Sequence, residues 1–124
     1  MGENMGYNQE LGKLGEESAV DYLISQGYEI ITTNYRTRGG EIDIIATEGE
    51  NIIFCEVKTR TSLSYGTPAV AVNRVKRNHI IRVAQCFLSS GAWSGYCPRF
   101  DVIEIYHIRK AHINHMINAF VADR

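Results

Sequence analysis

Two apolar runs, one holding Ile42, Ile44 and Ile45 and the other Ile52, Ile53 and Phe54, flank the polar turn Thr47-Glu48-Gly49-Glu50-Asn51 within Gly39 to Arg60, GGEIDIIATEGENIIFCEVKTR. β-Branched and aromatic residues bounded by turn signals specify two antiparallel strands, a hairpin. Three ionisable groups interrupt it: Asp43 lies inside the first run, and Glu56 and Lys58 end the second. Because side chains alternate along a strand, Glu56 and Lys58 share one face, Cys55 and Val57 share the other, and Glu41 and Asp43 share a face of their own strand. Desolvating an ionised carboxylate costs on the order of several kcal/mol unless a partner compensates. A divalent cation is such a partner, and Mg²⁺ takes a few carboxylate oxygens together with waters and substrate phosphate. Asp43 and Glu56 are therefore candidate metal ligands on adjacent strands, with the Val57 carbonyl as a further one. Lys58 then stands where a positive charge stabilises a developing anion.

The hairpin belongs to a longer ordered series: Gly15-Glu16-Glu17, Asn34-Tyr35-Arg36, Gly40-Glu41-Ile42-Asp43, Phe54-Cys55-Glu56-Val57-Lys58-Thr59-Arg60, Tyr65-Gly66, Val72, Lys76 and Phe100-Asp101-Val102. This series resembles the YraN family of small bacterial proteins, and D-x(12)-E-x-K on a hairpin resembles the PD-(D/E)xK, restriction-endonuclease-like core shared distantly with Holliday-junction resolvases. The hairpin motif alone is weak; the whole series, from Gly15 to Val102, is specific. Ile42 stands where the nuclease pattern often has proline, as the YraN pattern has it.

The resemblance implies an α/β fold with an αβββαβ core, a mixed sheet flanked by helices. It implies a metal-dependent endonuclease acting on DNA, branched or otherwise structured, in repair or recombination. Its site would comprise Glu16, Asp43, Glu56 and Lys58, with Asp43, Glu56 and Glu16 at Mg²⁺ or Mn²⁺. Glu17 is the fallback for Glu16 because helix phase is uncertain by one position, and a carboxylate favoured by the helix dipole is the structural alternative. A reading from another class is a non-catalytic nucleic-acid-binding or interaction protein on the same scaffold, in which Asp43, Glu56 and Lys58 form a satisfied ion cluster. A hydrolase using two carboxylates as acid and base is weaker, since it leaves Lys58 unexplained.

A net charge of −1 conceals a segregation. Val57 to Phe100 contains no acidic residue but carries Lys58, Arg60, Arg74, Lys76, Arg77, Arg82 and Arg99, leaving six basic and 14 acidic residues elsewhere. A basic segment beside an acidic site suits a polyanion, since phosphate neutralisation drives non-specific nucleic-acid affinity; the alternative is a solvated helix face. Arg36, Arg60, Tyr65, Arg74, Lys76 and Arg77 are the candidate nucleic-acid contacts, Lys76 foremost because it matches the family's helical basic position. At 124 residues the chain is expected to be a single domain, long enough to bury roughly two thirds of its unfolded surface. No apolar run approaches the ~20 residues of a membrane span, and the first residues, MGENMGYNQE, lack a signal-peptide layout. Cys55, Cys86 and Cys97 match no zinc spacing and read as reduced thiols of a cytoplasmic protein. A homodimer is a fair expectation for a nuclease that cuts two strands.

In chain order, residues 1–7 are expected as a loose arm, and Leu11, Leu14, Ala19, Tyr22 and Leu23 recur at helical spacing from Asn8 to Gln26, with Gly27 as the stop. Gly12 and Gly15 inside that helix permit a close approach of backbone or substrate. Tyr28 to Tyr35 is a strand beside the hairpin. Residues 61–68 form a polar loop, Pro68 to Val72 a helical turn, and Asn73 caps a second helix through Leu88, with Ile80, Ile81, Ala84, Phe87 and Leu88 buried. Arg99 to Tyr106 adds a strand with Phe100 and Val102 on one face and Asp101, Ile103 and Ile105 on the other. Asp101 is expected to serve a structural hydrogen-bonding role. His107, His112 and His115 lack metal spacing and are expected at the surface; Ile113 to Phe120 reads as an edge strand or a short helix.

Overall fold

The computed structural model describes residues 2–60, 73–107 and 111–122. Helix α1 (Gly2–Ser25) leads into strands β1 (Glu29–Thr37), β2 (Gly40–Glu48) and β3 (Asn51–Arg60), followed by α2 (Arg74–Leu88), β4 (Cys97–His107) and β5 (Ala111–Phe120). The five strands form one sheet in sequence order. The β3–β4 pair is parallel and the others antiparallel, so the sheet is mixed, and the β3-to-β4 crossover is carried by α2. This is the expected α/β core with one added edge strand, which settles Ile113 to Phe120 as part of β5. Helix α1 also takes in residues 2–7, expected as an arm; no proline breaks the run, and the helical register reaches back beyond the apolar stripe that marks it.

Strand alternation divides the interior into two layers. Ile45, Ile52, Phe54, Phe100 and Val102 meet Ile80, Val83 and Ala84 of α2 on one side; Ile44, Ala46, Ile53, Cys55, Ile103 and Ile105 meet Ala19 and Leu23 of α1 on the other. Burying each large aliphatic side chain contributes about 1.5–3 kcal/mol, so these clusters dominate the fold. Leu14, expected on the buried stripe of α1, is half-exposed. The α2 stripe includes Val83, which the spacing did not single out, while Ile81, Phe87 and Leu88 pack at its margin.

Two local devices fix the helices. The Asn73 side chain accepts the Lys76 backbone N–H at 2.9 Å, capping α2 as its sequence position predicts. Gly15 lies directly against Thr59 of β3, where an added Cβ would overlap the threonine hydroxyl, so the missing side chain lets α1 approach the sheet. Gly12 meets nothing within 4 Å.

Candidate active site

The β2–β3 ladder stops at the pair Ile44 and Cys55. One residue further on stand Asp43 and Glu56, on the α2 face of the sheet. Instead of continuing the ladder, the Asp43 carboxylate accepts the Val57 backbone N–H at 2.8 Å. Asn34 lies beside this interruption, between the β1–β2 pairs Thr33 with Ile44 and Tyr35 with Ile42, in a left-handed conformation with φ of 52°. Ile42 in turn packs with Ile45 in the α2-side layer rather than with Ile44, so strict alternation fails at Asp43.

Glu56 is buried, and among the described residues no hydrogen-bond donor reaches its Oε2 atom. Its Oε1 atom lies 3.6 Å from the Lys76 ammonium. Burial pushes the Asp43 carboxyl up to about 8, helped by a hydrogen bond with Glu56 and by that group's charge, against the lowering effect of the Val57 N–H. A carboxyl desolvated beside another keeps its proton because two adjacent anions cannot be accommodated there together. Partial burial, followed by the charge of Lys76, holds Lys58 below the ordinary lysine range, while Glu56 and Asp43 pull the other way. Asp43 and Glu56 border a cavity of about 480 Å³ whose wall also includes Glu41, Lys76 and His79 but not Lys58.

Glu16, on α1, lines a separate cavity with Glu17 and Asn34, within range of the Asp43 charge but not on the wall of the carboxyl cavity. It is half-buried, as its helical phase indicates, whereas Glu17 is exposed. Burial raises the Glu16 pKa, and the charge of Asp43 adds to it. With its amide nitrogen turned to the carboxylates, Asn34 donates to Glu16 at 3.3 Å and to Glu41 at 3.2 Å, tying α1 to the hairpin. Among the described residues no three His, Cys, Asp or Glu side chains converge closely enough to hold a metal ion by themselves. The described carboxylate donors at the interrupted ladder are the pair Asp43 and Glu56.

The candidate nucleic-acid contacts separate. Arg36 is exposed and bonded to Glu41 at 3.0 Å. Arg60 lies 3.6 Å from the fully buried Glu104. Lys76 faces the carboxyl pair, whereas Arg74 and Arg77 flank another cavity on α2. Tyr65 and the turn expected at Pro68 to Val72 lie outside the described residues.

His79 and Glu104 were not singled out from the sequence. His79 follows Lys76 by one helical turn and precedes Ile80, so its place beside the carboxyl cavity was legible in the i, i+3 spacing. Glu104 follows Phe100 and Val102 at strand period and is carried into the same buried layer, where Asn114 donates to it at 3.0 Å. Asp101 is the structural residue expected. Burial alone would raise its pKa, but bonds from His115 and Arg99 and the Asn118 N–H outweigh that and hold it below the ordinary carboxylate range. His115, expected at the surface, is buried in this network and also bonded to Tyr22 at 2.9 Å; the β4–β5 pairing brings it to Asp101. Cys55 is buried and Cys86 and Cys97 are exposed, all three as free thiols. No helix among the described residues is long and apolar enough to cross a membrane.

Residues 15–105 match the model of the uncharacterised protein family UPF0102. A UPF0102 protein of Alkaliphilus oremlandii is 51% identical over 116 residues, covering 91% of this chain and 99% of the relative. One from Clostridioides difficile is 46% identical across 91% of this chain and 98% of its own length. A third, from Caldanaerobacter subterraneus, is 41% identical across 89% and 93% respectively. The matched span contains Glu16, Asp43, Glu56, Lys58 and Asp101 together, and with relatives aligned over nearly their whole length the chain belongs to the UPF0102 family, the YraN family that its motifs resemble.

Proposed function

We propose that the protein is a metal-dependent phosphodiesterase acting on nucleic acid, with DNA as the expected substrate. The observation that carries this reading is the pair of half-buried Asp43 and buried Glu56 at an interrupted strand ladder, with one glutamate oxygen facing no donor. Buried carboxyls without a compensating donor are costly, and an oxygen-only pair suits Mg²⁺ or Mn²⁺, which fill their remaining positions with water and phosphate. Asp43 and Glu56 would hold the ion, with the Val57 carbonyl as an added oxygen. When bound, the cation supplies Lewis acidity toward water and neutralises phosphate charge.

The remaining groups act around that pair. Lys58, whose pKa burial lowers, would orient water or donate to the charge that develops on phosphorus-bound oxygens. Lys76 neutralises Glu56 in the resting protein and offers an ammonium to the incoming phosphate. Glu16 is held by Asn34 on the α1 side, where a carboxylate helps position water. The fold is one on which the resemblance places nuclease sites, and the basic segment supports a polyanionic substrate.

The Lys76–Glu56 ion pair favours the second reading, a nucleic-acid-binding protein whose acids are already satisfied. The deciding experiment is a cleavage panel of labelled junction, flap, nicked, duplex and single-stranded DNA with Mg²⁺ or Mn²⁺, run beside Lys58→Ala, Asp43→Ala and Glu56→Ala purified identically. Cleavage by the wild type alone supports the enzyme. Cleavage retained in the Asp43 or Glu56 variant rules this site out, and DNA binding without cleavage by any of the proteins selects the second reading.

A further inference from the structure

Helix α2 separates two concavities. One flank borders the carboxyl cavity through Lys76, His79 and Ile80. The other carries Arg74, Arg77, Asn78 and Ile81, a stripe at i, i+3, i+4 and i+7, and with Phe120 and Val121 at the end of β5 it lines a separate cavity of about 360 Å³. Its chemistry is divided. Two guanidinium groups and an amide stand on the helical side; Ile81, Phe120 and Val121 form an apolar side.

Among the described residues no carboxylate lines this cavity, and neither arginine is in an ion pair. Arg77 is half-buried, and its Nε–H is shielded from solvent with no acceptor. Guanidinium groups match phosphate in geometry as well as charge. The apolar side is preset: Phe120 is stacked on Phe100 at 5.1 Å, and Val121 is 65% exposed.

We propose that this cavity is a second subsite for the nucleic-acid substrate, taking one unpaired nucleotide with its phosphate on Arg74 and Arg77 and its base against Ile81, Phe120 and Val121. The volume lies at the lower end of the roughly 300–1,000 Å³ of ligand sites, enough for one nucleotide unit and too small for a base pair. An apolar wall rewards a base only when that base is unstacked, as in single strands, flaps and branch points. The carboxyl cavity opens on the opposite flank of the same helix, so a strand lodged here must cross α2 to reach Asp43 and Glu56. The inference rests on the nucleic-acid reading above, not on cleavage.

The test is an amide-shift titration of isotope-labelled Asp43→Asn protein with a 5′-phosphorylated thymidine dinucleotide, with thymidine and with inorganic phosphate. Saturable shifts at residues 74–81 and 120–121 are expected with the dinucleotide, with affinity about tenfold lower in Arg77→Met, the loss of one hydrogen bond to a charged group. Val121→Asp, at an exposed position that leaves folding intact, is expected to weaken binding as well. Absence of these shifts, or equal affinity in the wild-type and Arg77→Met cavities, overturns the proposal. Equal affinity for inorganic phosphate and dinucleotide overturns it too, since the apolar wall then contributes nothing. Cleavage absent from the wild-type panel with these shifts intact counts against the catalytic reading alone; shifts absent with wild-type cleavage present count against this subsite alone.

Discussion

The Asp43 side chain takes the Val57 backbone N–H at 2.8 Å, at the point where the register of β2 and β3 would otherwise set Ile42 opposite Val57. The carboxyl is thereby fixed by the main chain while Glu56 crowds it, and its pKa is raised to about 8 from an ordinary 3.8. Between those values the folded protein holds a proton that the unfolded chain has released. Stability must therefore fall as pH rises through this window, by up to about 1.4 kcal/mol per pH unit from this group. Asp43→Asn keeps an acceptor for Val57 and removes the titration. Urea midpoints of the two proteins, measured without divalent ions from pH 5 to 8.5, should converge or cross; parallel curves would remove the raised carboxyl.

The same proton links metal binding to pH. A cation at the Asp43–Glu56 pair must displace it, so Mg²⁺ or Mn²⁺ affinity should increase about tenfold per pH unit below 8 and level off above it. Millimolar Mg²⁺ should accordingly raise the melting temperature more at pH 8 than at pH 6, because a ligand that binds only the folded state stabilises it by mass action. Asp43→Asn should abolish that difference. An unchanged melting temperature at both pH values would leave the pair as an ion cluster closed by Lys76.

Gly15 predicts a packing defect with a built-in control. A Cβ at this position would overlap the Thr59 hydroxyl and stand 3.3 Å from its Cβ, so Gly15→Ala should destabilise by about 1–3 kcal/mol through overpacking. Thr59→Ala should recover part of the loss, making the pair non-additive. Gly12→Ala, which meets no neighbour, should be neutral or stabilising by up to about 1 kcal/mol. Equal urea midpoints for the two alanine variants would contradict the close approach of α1 and β3.

Short-range periodicity made the hairpin, the Asn73 cap and the shared face of Glu56 and Lys58 legible in the sequence, because each depends on residues a few positions apart. Register across strands was not legible in the same way. Asn34 meets Glu16 only because a left-handed residue interrupts β1 beside Asp43, and His115 meets Asp101 only through the β4–β5 pairing. A histidine read in isolation therefore looked like surface, and its partner 14 positions away was set by tertiary structure.

That partner gives the last prediction. Asp101 is fully buried and receives Arg99 through two bonds of 3.0 and 2.9 Å, His115 at 2.8 Å and the Asn118 N–H at 3.0 Å, while Arg99 also donates to Tyr28 at 2.7 Å. Removing the carboxylate takes away the main partner of Arg99, whose side chain is only 14% exposed, and leaves it the partly exposed Glu48 at 3.5 Å. Breaking such a pair costs about 3–5 kcal/mol, so Asp101→Ala should lose several kcal/mol in urea, more than His115→Ala, which strands no permanent charge. The lowered Asp101 pKa gives its stabilisation the opposite pH sign to that of Asp43: present above the ordinary carboxylate pKa, and lost as pH falls through the folded value. Because the network lies on the α1 face, away from the carboxyl cavity beside α2, any activity per folded molecule should survive. Asp101→Ala that unfolds like wild type but loses metal binding would instead place Asp101 in the site.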